Sequence, residues 1–409
     1  SDLSLKASAT ISILKNDNQN AIALQSLNTL LGHDEKSIII TLGFLQGSSH
    51  LISPEKIKLF LKHRSLRIRN KILSILEHSG EKIFLDDIFA NLANSTTNAK
   101  AEKALLSYPI KSLASNFTQR LNPTVSSLQL RIAIIKFMQK NPNKSWLEIL
   151  IRILKDPDLI ILNRVCDALI SISKSFEIGQ EYLDKIDEDF QHLARQAFQL
   201  YKFKEDLEND LDTTLIHDHI DSDLDKITPI LLKLGTLDEP EIPIETYIQY
   251  LKGKDLDLMP LVLELVDSTF SPSNRKVTLP LIDPDTNAIK AGKELFPSMI
   301  DKSEDMLIFW AENYHKWKSA ISLKYLIQKE KTEILEAINF KTTPKSIFTK
   351  NFFNEKEQNY LNNNLLNNKF PLQENQNMYS ILEKTIFLKS VNLFKNISGD
   401  ILNQIAQIS

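Results

Sequence analysis

The chain has 409 residues, of which only 9 are glycine, 15 proline and one cysteine, Cys166. Its 49 basic and 52 acidic residues leave a formal net charge of −3. These figures argue against a turn-rich β fold, a glycine-rich phosphate loop, an intramolecular disulfide framework and a dedicated nucleic-acid binder. A single core rarely extends beyond about 250–300 residues, so the chain is either several domains or an extended solenoid. Its strongest apolar run, Ile38 to Leu45, falls far short of the roughly 20 residues that span a bilayer. No secretory signal is visible at the start. The chain as given is therefore expected to be soluble, and the lone cysteine suits a reducing compartment.

In chain order, residues 1–18 form an uncertain lead-in. Residues 20–47 read as a helix pair broken at Gly32-His33-Asp34. A second pair starts with Ser53 as N-cap and Pro54 in the first helical position, and closes near Ser79-Gly80. A third covers 84–107, and a fourth covers 110–140 with a break at Asn122-Pro123. Residues 145–173, SWLEILIRILKDPDLIILNRVCDALISIS, give the clearest hairpin. Leu147, Leu150, Ile151 and Leu154 recur at helical spacing, then Ile161, Val165, Ala168 and Leu169. Between them Asp156 reads as an N-cap, with Pro157 at the first helical position. Cys166 lies beside Val165 and Leu169 and reads as a small core residue. Helices this short are marginal alone and need neighbours.

A longer helix follows over 180–203. Residues 206–226 are acidic and weakly periodic, and are expected to be a loop between an N-terminal block of repeats (1–205) and a C-terminal block (227–340). Near 270–300, Pro272, Pro280, Pro284 and Pro297 predict an irregular insertion. Residues 341–377 are rich in Asn and read as a linker or atypical repeat. Residues 378–409 are again helical.

The spacing of the 145–173 hairpin recurs at Ile68, Ile72, Ile75 and Leu76, with Arg69 beside the first, and loosely around Met259, Leu263 and Val266. It resembles the HEAT repeat, whose second helix opens Asp-Pro-Asp and carries Val-Arg. Asp156-Pro157-Asp158 keeps that turn, with Leu162 where Arg is preferred. Arg69 keeps the Arg and is expected to serve packing between repeats. The expected fold is an all-α, right-handed α-solenoid of HEAT-like helix pairs.

Two clusters are candidate sites. His217, His219, Asp221 and Asp223 are suitable ligands for a divalent metal, although their string lacks the Gly and Glu of a calcium loop; a solvated acidic loop is the plainer reading. Lys62, Arg64, Arg67 and Lys71 form a basic cluster suited to an anion or a partner. No catalytic motif and no cofactor-binding motif is present. Some HEAT-like solenoids are DNA glycosylases, but Trp146, Trp310 and Trp317 lie in separate helices without a basic surplus, so no nucleic-acid partner is expected.

Two stretches resemble one family more specifically. Trp317-Lys-Ser-Ala320-Ile-Ser322-Leu323-Lys-Tyr-Leu326 resembles a Trp-x-x-Ala-x-Ala-Leu-x-x-Leu helix in the soluble region of bacterial ATP/ADP-translocase-like transporters of the major facilitator superfamily. Residues 381–398, with Phe387, Leu393, Phe394 and Ser398, resemble the helical lead-in to a cyclic nucleotide-binding domain. Leu402, Ile405 and Ala406 continue that pattern. The resemblance implies a HEAT region between a transporter and a cyclic-nucleotide-type sensor. The cassette that grips the cyclic phosphate is absent, so no nucleotide-binding residue carries over. The expectation is a non-catalytic scaffold at the cytosolic face of a membrane, reaching the membrane only through a transporter portion that is not here. The alternative is a free-standing cytoplasmic adaptor for a protein partner.

Overall fold

The computed structural model describes residues 2–207, 213–253, 257–298, 303–312, 316–339, 352–364, 380–391, 394, 397 and 399–407. Among them, all regular structure is helical and no strand occurs. The chain divides into two compact units, Ser1–Lys155 with Arg164–Ile178, and Asp156–Asn163 with Gly179–Ser409.

The first unit is built from α1 (Asp2–Asn16), α2 (Ala21–Leu30), α3 (Glu35–Phe44), α4 (Pro54–Leu61), α5 (Leu66–Ile75), α6 (Leu85–Leu92), α7 (Asn98–Leu105), α8 (Ile110–Arg120), α9 (Leu128–Lys140) and α10 (Leu147–Ile153). Short polar side chains start several of them. Asn20, Asp34, Ser53 and Ser127 each accept a hydrogen bond from the backbone N–H three residues on, and Pro54 follows its cap directly. Packing runs between near neighbours: α1 on α2 and α3, α3 on α5, α5 on α7, α4 on α5 and α6, α6 on α7 and α9, and α8 on α9 and α10. Each helix thus covers its apolar stripe with the next helices along the chain, which is why helices of seven to fifteen residues hold here. Ile68, Ile72, Ile75 and Leu76 are all buried. The Gly80 turn needs its glycine: φ is +62°, and a Cβ would sit 2.9 Å from the Ser107 carbonyl oxygen.

Helix α11 (Leu159–Ser173) begins two residues later than the Asp-Pro pair suggests. Asp158, not Asp156, caps it, accepting from the Ile160 N–H at 2.9 Å. Asp156 instead accepts from the Asp158 N–H at 3.0 Å, which leaves Pro157 outside the helix. Cys166 is fully buried.

The second unit is arranged differently. Two long helices, α12 (Gln180–Asp206) and α13 (Thr214–Gly235), pack along each other. Then follow α14 (Ile244–Gly253), α15 (Met259–Thr269), α16 (Pro272–Ile282), α17 (Ala288–Leu295), α18 (Ser303–Glu312), α19 (Lys316–Gln328), α20 (Thr332–Ala337), α21 (Glu355–Asn364), α22 (Ile381–Ser390) and α23 (Gly399–Ala406). Helices α16, α17 and α18 pack on α12, while α14, α15, α16, α19 and α23 pack on α13. Partners far apart in sequence meet here, unlike in the first unit. Phe190 meets Phe270, Phe198 meets Phe296 and Phe203 meets Trp310, with ring centres 6.0, 5.8 and 5.3 Å apart.

Three sequence expectations are corrected by this unit. The acidic stretch 206–226 is not a loop between blocks: from Thr214 it is α13, which runs through Asp225 and Ile227 without a break. Leu215, Ile216, His219, Ile220, Asp223, Leu224 and Ile227 form its buried face. The period is helical, but His219 and Asp223 occupy two of the apolar positions and hide it. The stretch near 270–300 is not an irregular insertion, since it contains α16 and α17. Pro272 takes the first position of α16 behind the Ser271 cap, and Pro280 falls in its last turn. The first position costs no hydrogen bond, whereas Pro280 lies inside the helix and lacks the N–H that would bond to the Lys276 carbonyl. The division expected at 206–226 falls inside the second compact unit. Of residues 341–377, only 352–364 are described, and 355–364 form α21.

The end of α13 abuts Phe270. A Cβ on Gly235 would lie 2.3–2.6 Å from three of its ring carbons. Gly235→Ala is expected to cost about 1–3 kcal/mol through this overlap, read as a lower urea midpoint. An unchanged midpoint would show that the ring yields freely.

Candidate functional site

The basic cluster lies where α4 ends and α5 begins. Lys62 follows the last residue of α4, Arg64 is in the turn, and Arg67 and Lys71 share one face of α5 at a spacing of four. Lys62 Nζ stands 3.1 Å from Oδ1 of the buried Asp87. The nearby Glu35 accepts from Ser65 Oγ at 2.6 Å. Arg64 and Arg67 are exposed and Lys71 is half-buried. One of the four cations, itself still exposed, therefore pairs with a carboxylate, and two arginines face solvent. Like charges four apart on a helix repel, so an anion on this ridge would relieve a local electrostatic cost.

Arg69, expected to pack between repeats, reaches toward the next hairpin, with Nη1 3.5 Å from Asn91 Oδ1. The stronger tie is Asn91 itself. Its buried amide donates to the Leu61 carbonyl at 2.9 Å and to the Asp87 carbonyl at 2.8 Å. It links the end of α4 to α6, and nothing in the sequence pattern singles it out. Arg131 plays a similar part, donating from Nε to the Leu121 carbonyl at the end of α8.

The four candidate metal ligands do not converge. Alternate residues share a face on a strand but not on a helix, so α13 separates them. His219 and Asp223 lie one turn apart on the buried face. Asp221 is exposed and pairs with Lys204. Among the described residues, no three His, Cys, Asp or Glu side chains are grouped to hold a metal ion.

What His219 and Asp223 form instead is an ion-pair cluster with a residue that sequence reading does not single out. Asp223 Oδ2 is 3.6 Å from His219 Nε2 and 2.7 Å from Lys318 Nζ. The His219 ring meets Trp310 edge-on at 5.3 Å, and Lys318 Nζ lies 5.5 Å from the centre of that indole. Burial pushes the Asp223 carboxyl upward, but His219 and Lys318 outweigh it and hold it below the usual 3.8. Asp218, on another face of the same helix, goes the other way. Burial raises it above 3.8 despite the 2.6 Å contact of its Oδ2 with Lys389 Nζ. The available signal is the placement of two ionisable groups on the apolar stripe of α13, which demands a buried partner elsewhere.

The two carboxylates should therefore titrate on opposite sides of 3.8, Asp218 above and Asp223 below. For Asp223, the folded state holds its proton less tightly than the unfolded chain. Its stabilisation is present above 3.8 and is lost as pH falls through its folded value. For Asp218 the sign reverses, and its contribution improves as pH falls. Side-chain carboxyl carbon shifts followed against pH in the wild type and in Asp223→Asn would assign the two steps. Coincident midpoints would contradict the geometry.

Compared with known families, with curated proteins and with solved structures, the chain matches none.

Proposed function

We propose that the chain is a non-catalytic scaffold, a right-handed solenoid of HEAT-like helix pairs at least over its first unit. In this reading it is the cytosolic regulatory region of a nucleotide-type membrane transporter. The observation that carries the scaffold reading is the neighbour-to-neighbour packing of α1 to α10, the arrangement by which stacked pairs present long open surfaces. The transporter placement is supported by the resemblance of Trp317–Leu326, which lies in α19, and of residues 381–406, which include α22 and α23. A relay from a cyclic-nucleotide-type sensor would require two arrangements of the stack that each end biases differently.

A second reading is a free-standing adaptor holding an acidic protein partner. The solvent-facing Arg64 and Arg67, with Lys71 beside them, favour it. Among the described residues no helix is long and apolar enough to cross a membrane, so membrane attachment in the first reading comes from another part of the polypeptide. Fractionation of the source cells with an antibody to this chain separates the two. A membrane band far heavier than 46.8 kDa supports the transporter-linked region. A band near that mass in the soluble fraction overturns it and leaves the adaptor.

A further inference from the structure

Charge is segregated in the α4–α5 hairpin. From Lys56 to Leu76 the chain carries seven lysines and arginines and no aspartate or glutamate, although its net charge is −3. Three of the seven are engaged inside the first unit. Lys56 Nζ donates to the Asn28 carbonyl at 3.3 Å, Lys62 pairs with Asp87, and Arg69 reaches Asn91. The other four, Lys58, Arg64, Arg67 and Lys71, have no hydrogen-bond or ion-pair partner among the described residues.

The free cations of α5 form a row. Arg64 precedes the Ser65 cap, and Arg67 and Lys71 follow at steps of three and four residues. At 1.5 Å per residue the row is about 10 Å long, with about one helical turn between charges. Carboxylates four residues apart on a second helix have the same spacing. An apolar group is also uncovered in this hairpin. Leu59 is 63% exposed and lies one turn before Lys62 on α4, which packs on α5. The neighbours limit how far a bound negative charge can extend. On one side the exposed Glu35 of α3 accepts from Ser65, and on the other Asp87 of α6 stands beside Lys62. A nucleic-acid backbone or an anionic bilayer would carry its charge across those carboxylates, and such polyanions rest on many phosphate contacts. A short segment with a few carboxylates and one apolar group meets the free cations alone.

We propose that the α4–α5 hairpin receives a short acidic, amphipathic helix of a protein partner. Its carboxylates, four residues apart, lie on Arg64, Arg67 and Lys71, and an apolar side chain covers Leu59. The inference rests on the adaptor reading above and specifies the form of the acidic partner.

The probe is an alanine-based peptide of about 18 residues, long enough to be partly helical, with glutamate at every fourth position and leucine beside each glutamate. A peptide of the same composition in scrambled order is its control. Both are titrated into the full chain by calorimetry. The patterned peptide should bind saturably with a dissociation constant below about 1 mM at low salt, and at least about tenfold more weakly in high salt. The scrambled peptide should bind at least about threefold more weakly than the patterned one. Arg64→Ala combined with Arg67→Ala should cost at least about tenfold in affinity and leave the urea midpoint unchanged, because neither side chain has a partner to lose. Leu59→Ala should weaken binding about threefold without changing its salt dependence. Lys6→Ala combined with Lys15→Ala, at exposed positions of α1, should leave affinity within about twofold.

No saturable binding of the patterned peptide overturns the proposal. So does equal binding of the scrambled peptide, or an equal loss in the α1 variant, since the attraction would then be diffuse. Tighter binding of duplex DNA or of phosphatidylserine vesicles through the same two arginines overturns it too, and assigns the row to a polyanion. None of these outcomes alters the mass and compartment found by cell fractionation, so the adaptor reading stands or falls separately.

Discussion

Phe117→Ala is expected to lower the stability of the first unit by about 3–5 kcal/mol. Phe117 is fully buried in α8 and touches three other rings: Phe89, Phe137 and Trp146, with centres 5.8, 5.6 and 5.4 Å away. Those rings come from α6, from α9 and from the turn before α10. One side chain therefore joins three successive hairpins. Its removal leaves a cavity that cannot close easily, because Trp146 is tethered through its indole N–H to the Asn141 carbonyl at 2.9 Å. Phe89 is likewise held under the Arg120 guanidinium at 4.4 Å. Urea unfolding would give the loss, and hydrogen exchange would show whether amides of α6, α8 and α9 open together. Phe117→Leu keeps most of the volume and should cost less. A loss under about 1 kcal/mol for the alanine variant would mean that the hairpins do not depend on this cluster.

The same cluster shows which information the sequence carries openly. The breaks within hairpins, such as Asn122-Pro123, and the apolar spacing at Ile68, Ile72 and Ile75 are local signals. Helices form there because local pattern and tertiary packing agree. Where tertiary partners decide, local pattern misleads. The stretch 206–226 looks like a solvated loop because His219 and Asp223 stand where Leu or Ile would announce a helix. Their compensation, Lys318, lies 95 residues after Asp223 and carries no local mark. The prolines of 271–297 mislead for a simpler reason. Their number suggests irregular chain, but Pro272 occupies the first helical position, and Pro280 sits inside α16 at the cost of one backbone hydrogen bond while its neighbours Leu281 and Ile282 are buried. Of the basic cluster, exposure is predictable but pairing is not. Nothing local distinguishes Lys62, which reaches Asp87, from Arg64, which faces solvent.

Lys324→Met is expected to be as damaging as the loss of Phe117, for an electrostatic reason. Lys324 Nζ lies 2.8 Å from Glu357 Oε1, and both side chains are almost entirely buried, at 5% and 7% exposure. Glu357 also closes a capping box at the start of α21. Its Oε2 accepts from the Asn354 N–H, and Asn354 Oδ1 accepts from the Glu357 N–H, each at 2.9 Å. The Asn354 amide then donates to Glu383 at 3.0 Å, and Glu383 closes a second capping box with Ser380 at the start of α22. Three helices distant in sequence are thus linked through one buried ammonium. Removing it strands the Glu357 carboxylate away from water, a loss of about 3–5 kcal/mol. The attraction itself is worth much less than that, because both ions were desolvated to form it. Glutamine can fill the N3 position of a capping box, so Lys324→Met combined with Glu357→Gln keeps the cap and buries no charge. The double variant should therefore be more stable than Lys324→Met alone, close to the wild type in urea midpoint. That sign of coupling separates a stranded charge from a packing defect, since a defect caused by the methionine side chain would persist in the double variant. If the two substitutions simply add, the link between α19 and α21 is held by apolar contacts such as those of the buried Phe352 and Phe353, and the ion pair is incidental to it.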